Sequence, residues 1–457
     1  MTPLEKRLEK FKKSGTDIYK RMYSVWENNR DRCTDLLKGV EIHYPFFSLH
    51  DASHSKKVIR NIEMLLGDRV KKLSATDTWL ILHTAFMHDL GMIIPDEEYR
   101  SVWNRQEFQD YLRSRQESPV ADIREAANFL RNLPREAGKE ENWPQNWPVE
   151  VYFSSSLLIS DYFRPSHAER IKPYLEDGPQ NRGISFANIN HRGMVELIEK
   201  IAGLHTSDFR AVLDDLDYEV MGLGDSKDKA HPRFVAELLR IGDVLDLDNN
   251  RFPYDLQYLR GKLPESSDVH RRLHFATTKL NIRPEEVTYT ANCKDYNTYN
   301  QVKQLTEYIK EEFKNFAYYW DKIVPDKFPF PPPRFNFSDS DILINGKKDI
   351  DNRAGLRFTL MESKAFQLLE GANIYHDEMT PVRELLQNAL DATKIQFWTD
   401  LQDPFYQEGL PKDVPLHELQ PYHIPADRFS KNPYLQTVPK APNRIWNFPC
   451  VISGKRA

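Results

Sequence analysis

Trp79-Leu-Ile-Leu-His-Thr-Ala-Phe-Met-His-Asp-Leu-Gly91 is the stretch on which the fold turns. It is apolar on nearly every face, the mark of a helix buried among other helices, yet it carries His88 and Asp89 side by side. An unpaired carboxylate in an apolar setting is costly, so it pairs or binds a cation, and a neutral imidazole beside it supplies the nitrogen that transition metals favour. The alternative is a capped helix end, with Asp89 and Gly91 closing the segment and His88 merely packed.

Other histidines and aspartates fall where a site built from several helices needs them. Upstream, in Phe47-Ser-Leu-His-Asp-Ala-Ser-His-Ser-Lys-Lys-Val-Ile-Arg-Asn-Ile62, His54 opens a segment whose Val58, Ile59, Ile62 and Leu65 keep helical spacing. Downstream come His167 in Pro165-Ser-His-Ala-Glu-Arg-Ile171, His205 at the end of Val195-Glu-Leu-Ile-Glu-Lys-Ile-Ala-Gly-Leu-His205, and Asp243 in Phe234-Val-Ala-Glu-Leu-Leu-Arg-Ile-Gly-Asp-Val-Leu-Asp246. The order His…His-Asp…His…His…Asp over about residues 40–260 resembles the HD superfamily of metal-dependent phosphohydrolases, an all-helical fold. The resemblance implies that His54, His88, Asp89, His167, His205 and Asp243 are metal ligands. Convergence of His54, His88, Asp89 and Asp243 would give a shell of imidazole nitrogens and carboxylate oxygens that suits Mn, Fe, Zn or Mg. If His167 and His205 join, Asp89 bridges to a second metal about 3.5 to 4 Å away, for in-line attack on phosphorus. Asp89 and Lys56 are the catalytic candidates here: at most one of Lys56 and Lys57 faces the site, where an ammonium could hold a phosphate, and solvated lysines are the alternative. His50, His83 and His191 fall outside the family order and read as capping or packing residues.

Composition points to a large protein of ordinary class. A chain of 457 residues suggests two to four domains. A net charge of −5 gives no strong nucleic-acid signal. Cys33, Cys293 and Cys450 are isolated thiols, which argues against a disulfide framework or a cysteine zinc site. The charged start, Met1-Thr-Pro-Leu-Glu-Lys-Arg-Leu-Glu-Lys-Phe-Lys-Lys13, lacks the apolar core of a signal peptide. With no apolar run of membrane-spanning length, the expectation is a cytoplasmic chain without membrane association. An oligomer is compatible with all of this.

Fold class reads as mainly α: an all-helical HD-type domain followed by a partial α/β segment. Residues 1–40 are amphipathic helices; 41–260 hold the ligands, with an insert at about 96–147; 261–324 form a helical and strand extension, with a strand at Thr288-Tyr-Thr-Ala-Asn292 and a long aromatic helix from Tyr299 to Lys322. Pro325-Asp-Lys-Phe-Pro-Phe-Pro-Pro-Pro333 cannot continue a helix and opens a proline-rich connector, 325–354.

Beyond it, 355–398 carries Met379-Thr-Pro-Val-Arg-Glu-Leu-Leu-Gln-Asn-Ala-Leu-Asp-Ala-Thr393. Thr380 can cap a helix whose first turn accepts Pro381, and Glu384, Asn388 and Asp391 then share one face. The pattern resembles the N box of the GHKL ATPases, most of all their heat-shock-chaperone branch. By that resemblance Glu384 activates the attacking water, Asn388 holds magnesium and Asp391 supports the site, so Mg-ATP is the implied cofactor. The sequence departs from the family after Asp391, where Gly409 and Gly454 are the only glycines and nine prolines lie between Pro404 and Pro449. With no glycine turn to read adenine, ATP binding is expected to be weak or absent, and 399–457 reads as an irregular tail.

Three functions remain open on the sequence: a hydrolase acting on a phosphorylated small molecule or a nucleotide; a chaperone-like regulatory ATPase in bacterial stress or defence, its helical domain sensing a ligand; and an inactive binding module.

Overall fold

A computed structural model describes residues 1–133, 147–176, 178–189, 192–247, 263–326, 328, 331–338, 341–348 and 388. The chain divides into two compact units, Met1–Leu356 and Arg357–Ala457, and of the second only Asn388, helical and exposed, is described. No described helix is long and apolar enough to cross a membrane.

The first unit is mainly helical. Its longer helices are α1 Pro3–Lys13, α2 Asp17–Leu37, α3 Ala52–Leu66, α4 Ala75–Met87, α5 Gln106–Arg115, α6 Ala121–Asn132, α7 Trp147–Phe163, α8 Arg192–Gly203, α9 Pro232–Val244, α10 Glu265–Ala276 and α11 Tyr296–Tyr318. Their starts follow local chemistry. Thr2 and Glu5 form a capping box before Pro3 in α1; Asp51 caps α3 by accepting from Ser53 N at 2.9 Å; Ser74 caps α4 by accepting from Asp77 N at 2.9 Å. Every residue of α4 is buried, because α1, α2, α3, α8 and α9 all pack on it.

α4 ends at Met87, so His88 caps the helix and Asp89 opens the 3-10 turn Leu90–Met92. The two alternatives for this pair were therefore not exclusive: it stands at a helix end, and that end is buried. The C-terminal end of a helix carries partial negative charge, which favours a cation.

The unit is not wholly helical. Within 41–260, Val220 pairs with Ala230 and Met221 with Lys229 in a small antiparallel ladder, β1 Val220–Met221 and β2 Lys229–Ala230. A five-stranded sheet follows. β3 Thr277–Ile282 and β4 Glu286–Cys293 are antiparallel, while β5 Arg334–Asn336 and β6 Ile342–Ile344 both run parallel to β4, and β7 Lys347–Lys348 returns along β6. The β6–β7 turn is Asn345-Gly346, both at positive φ, the usual two-residue hairpin chemistry. The stretch read from sequence as a connector, 325–354, thus supplies three strands of this sheet. The aromatic helix starts three residues before Tyr299 and stops at Tyr318, with a separate turn Trp320–Ile323 after it.

His83 lies in the core, away from the ligand cluster described below. Its Nδ1 donates to Trp79 O at 2.9 Å, and its ring is boxed by Trp79, Trp26 and Phe186. Burial pushes its pKa from 6.5 down to about 3. A folded value below the unfolded one means that its contribution is complete above pH 6.5 and is lost as pH falls toward 3. Between pH 6.5 and about 4.5 this group should remove roughly 2 kcal/mol of stability. The pH dependence of urea midpoints should flatten in His83→Leu, and a slope identical to wild type would show that His83 is not held neutral.

Candidate metal centre

Six side chains from five segments meet around Asp89. α3 supplies His54 in its first turn, the end of α4 supplies His88 and Asp89, the 3-10 turns Arg164–Ile171 and Leu204–Thr206 supply His167 and His205, and the last turn of α9 supplies Asp243. His54 Nε2, His88 Nε2 and Asp89 Oδ2 form a nearly equilateral triangle with edges of 3.2, 3.3 and 3.2 Å. Asp243 Oδ1 lies 3.2 Å from His54 Nε2 and 4.0 Å from His88 Nε2. On the other side of Asp89, His167 Nε2 lies 3.6 Å from Oδ1 and 3.1 Å from His205 Nε2. Three overlapping triplets, His54–His88–Asp89, His88–His205–Asp243 and Asp89–His167–His205, each bring their donor atoms within 4.8 Å of one another.

The protonation pattern says what this cluster lacks. His88, His167 and His205 each direct Nδ1 at a backbone carbonyl three residues earlier, Ala85 O at 3.1 Å, Arg164 O at 2.7 Å and Ala202 O at 2.5 Å. A carbonyl only accepts, so Nδ1 carries the hydrogen and Nε2 presents a lone pair. Asp246 does the same for His54, with Oδ2 2.6 Å from Nδ1. Four imidazole Nε2 atoms and two carboxylates therefore face one another in a largely buried space, with Asp89 Oδ2 between His54 and His88. A divalent cation would reconcile them. Ligand atoms about 2.1 Å from one metal stand roughly 3.0 to 3.4 Å apart, which is the spacing of the His54–His88–Asp89 triangle. The residues present fit a divalent metal, and each His–carbonyl or His–carboxylate bond is the kind that orients a metal-binding imidazole.

The charges agree. Burial opposes ionisation of Asp89, but His88 and the hydrogen bonds of His54 and His88 hold it well below the usual carboxylate range. Burial likewise opposes Asp243, and His54 overrides it, leaving its pKa lowered. His88 is buried too, yet Asp89 and Asp243 outweigh burial and raise its pKa. His205 moves the other way, to about 4, through burial and the charge of His88. The two carboxylates thus favour positive charge at His88 Nε2, the place where a cation would sit.

Not every candidate residue from the sequence lies here. Lys56 is exposed, two residues and so about 200° around α3 from His54, which removes it from the ligand face; Lys57, half-buried, is on the His54 side. His50 stands beside the site, its ring 5.5 Å from that of His54 and its Nδ1 2.6 Å from Ser48 O. His191, Glu384 and Asp391 lie outside the described residues. Sequence reading assigned no role to Asp246, although the one-turn spacing Asp243-Val-Leu-Asp246 was a signal for it.

Gly91 lets the two halves approach. A Cβ there would overlap the His167 carbonyl and meet Arg170 Cβ at 3.0 Å. Gly91→Ala should cost about 1 to 3 kcal/mol of stability and displace His167, weakening metal uptake on that side; unchanged melting and unchanged metal titration would contradict this packing.

A model of the HD-CE family matches residues 43–315. Searches of curated proteins and of solved structures returned no match. The family match continues past residue 260, the limit read from sequence, to take in β3, β4 and most of α11, and it ends before Glu384. Spanning more than half of the chain, the match shows that the protein belongs to the HD-CE family, with a helical domain of HD type.

Proposed function

We propose that this protein is a metal-dependent phosphohydrolase, acting on a phosphomonoester, a nucleotide or a cyclic nucleotide, and that His54, His88, Asp89, His167, His205 and Asp243 hold two divalent ions. The observation that carries the reading is the convergence of four imidazole Nε2 atoms and two carboxylates, with each Nδ1 turned to an acceptor outside the cluster. Asp89 directs Oδ2 at His54 and His88 and Oδ1 at His167, so one carboxylate serves both halves.

Bound divalent ions would polarise a phosphoryl oxygen and lower the pKa of a coordinated water. The chain's own residues do the rest. His54 and His88 are held by Asp246 and Ala85 in the tautomer that presents Nε2. Two divalent ions against two carboxylates leave a net positive centre, which attracts an anionic substrate. His54, His88 and Asp89 are nearly sealed, whereas the Asp243 and His167 side chains are 30 % and 12 % exposed, so substrate enters on their side. Buried walls exclude bulk water from the Asp89 side.

A panel of phosphomonoesters, nucleotides and cyclic nucleotides, assayed with Mn, Mg, Fe or Zn, tests the reading. Metal-dependent release of phosphate or opening of a cyclic phosphodiester is the expected result. A protein that holds its metals yet turns over none of these would be a binding module instead.

A further inference from the structure

His167 and His205 stand on 3-10 turns, and each turn is held by an arginine docked edge-on against a glutamate. Arg170 meets Glu98 at 2.9 and 2.8 Å and donates to Gly91 O at 3.0 Å. Arg240 meets Glu312 at 3.2 and 2.6 Å, and its Nη1 donates to Leu204 O and Ser207 O, both at 2.7 Å. Those two carbonyls bracket His205. Arg240 also precedes Asp243 by one turn on α9, so a single guanidinium fixes the His205 turn against the Asp243 helix. Arg240 and Glu312 are each only 4 % exposed. Glu237, whose Oε2 is 4.0 Å from Arg240 Nε, has neither oxygen hydrogen-bonded, and burial pushes its carboxyl well above the usual range. Glu312 is therefore the carboxylate that pairs with Arg240. A planar fork locked at both edges fixes orientation, which a point charge does not.

We infer that Arg240 and Glu312 are positioning residues for the His167–His205 half of the centre, so that α11, which carries none of the six ligands, sets the affinity of the second metal. The inference rests on the two-metal reading. A cluster held only by its own turns would be indifferent to Glu312. The two carbonyl bonds make the difference, because apolar replacements can fill the volume of a buried ion pair and keep the fold, but cannot grip Leu204 and Ser207.

Calorimetric titration of the full chain with Mn²⁺ tests this in wild type, in the double variant Arg240→Met/Glu312→Met, and in Glu312→Gln, which keeps the shape and one acceptor if the double variant does not fold. Wild type should take up two ions. In the double variant the first should bind as in wild type and the second about 10- to 100-fold more weakly, with a smaller loss in Glu312→Gln and circular dichroism unchanged in both. A second ion bound equally tightly by the folded variants would overturn the inference, as would equal weakening of both ions, which would mean general loosening. Uptake of one ion by wild type would remove the two-metal reading and this inference with it, whereas two ions in wild type with silent variants would remove the inference alone.

Discussion

On the phosphohydrolase function proposed above, Asp89→Asn should abolish metal-dependent phosphoester hydrolysis, lowering kcat/KM by about a thousandfold or more. The estimate follows from the several kcal/mol that metal ions supply to a phosphoryl transition state, at about 1.4 kcal/mol per factor of ten. Asn keeps the shape but gives up the charge that holds both halves together, and its amide nitrogen would face either His167 Nε2 or the Nε2 atoms of His54 and His88. Activity and metal content should fall together. Loss of activity with both ions retained would place Asp89 outside the ligand set.

The second large effect is on stability. Ions that bind the folded chain alone stabilise it by mass action, about 4 kcal/mol at a thousand times Kd. For a unit of this size that corresponds to a rise in Tm of about 5 °C, which a chelator should reverse. The pH dependence has a definite sign. Burial opposes a charged His88, but Asp89 and Asp243 outweigh it and raise its pKa, so proton and metal would compete for Nε2. Apparent affinity should therefore rise with pH from about 6.5 until His88 is deprotonated, by up to about tenfold per unit for one proton displaced. Differential scanning fluorimetry with Mn²⁺ and with EDTA across pH 6 to 9 would read both effects. A Tm indifferent to either addition would count against any buried cation site.

His54, His88, Asp89 and Asp243 were legible in sequence because they stand on or at the ends of amphipathic or buried helices, whose spacing is visible in a single chain. His167 and His205 were harder. They sit on 3-10 turns whose placement depends on Arg170–Glu98 and Arg240–Glu312, pairs 72 residues apart in each case, which no periodicity records. Asp246 was overlooked because its partner, His54, is 192 residues away. Of the two lysines of which at most one could face the site, Lys56 is exposed and lies two residues, about half a turn, from the His54 face. The sheet strands of 334–348 escaped for a different reason: β5, β6 and β7 are three, three and two residues long, too short to show alternation. The proline-rich stretch before them did announce that no helix continues.

The central claim, that the six side chains hold metal, is tested most directly by anomalous diffraction from crystals soaked in Mn²⁺. Two peaks are expected on either side of the Asp89 carboxylate, about 3.5 to 4 Å apart, one against His54, His88 and Asp243 and one against His167 and His205. Absence of any peak within coordination distance of Asp89, with these side chains in place, would contradict it.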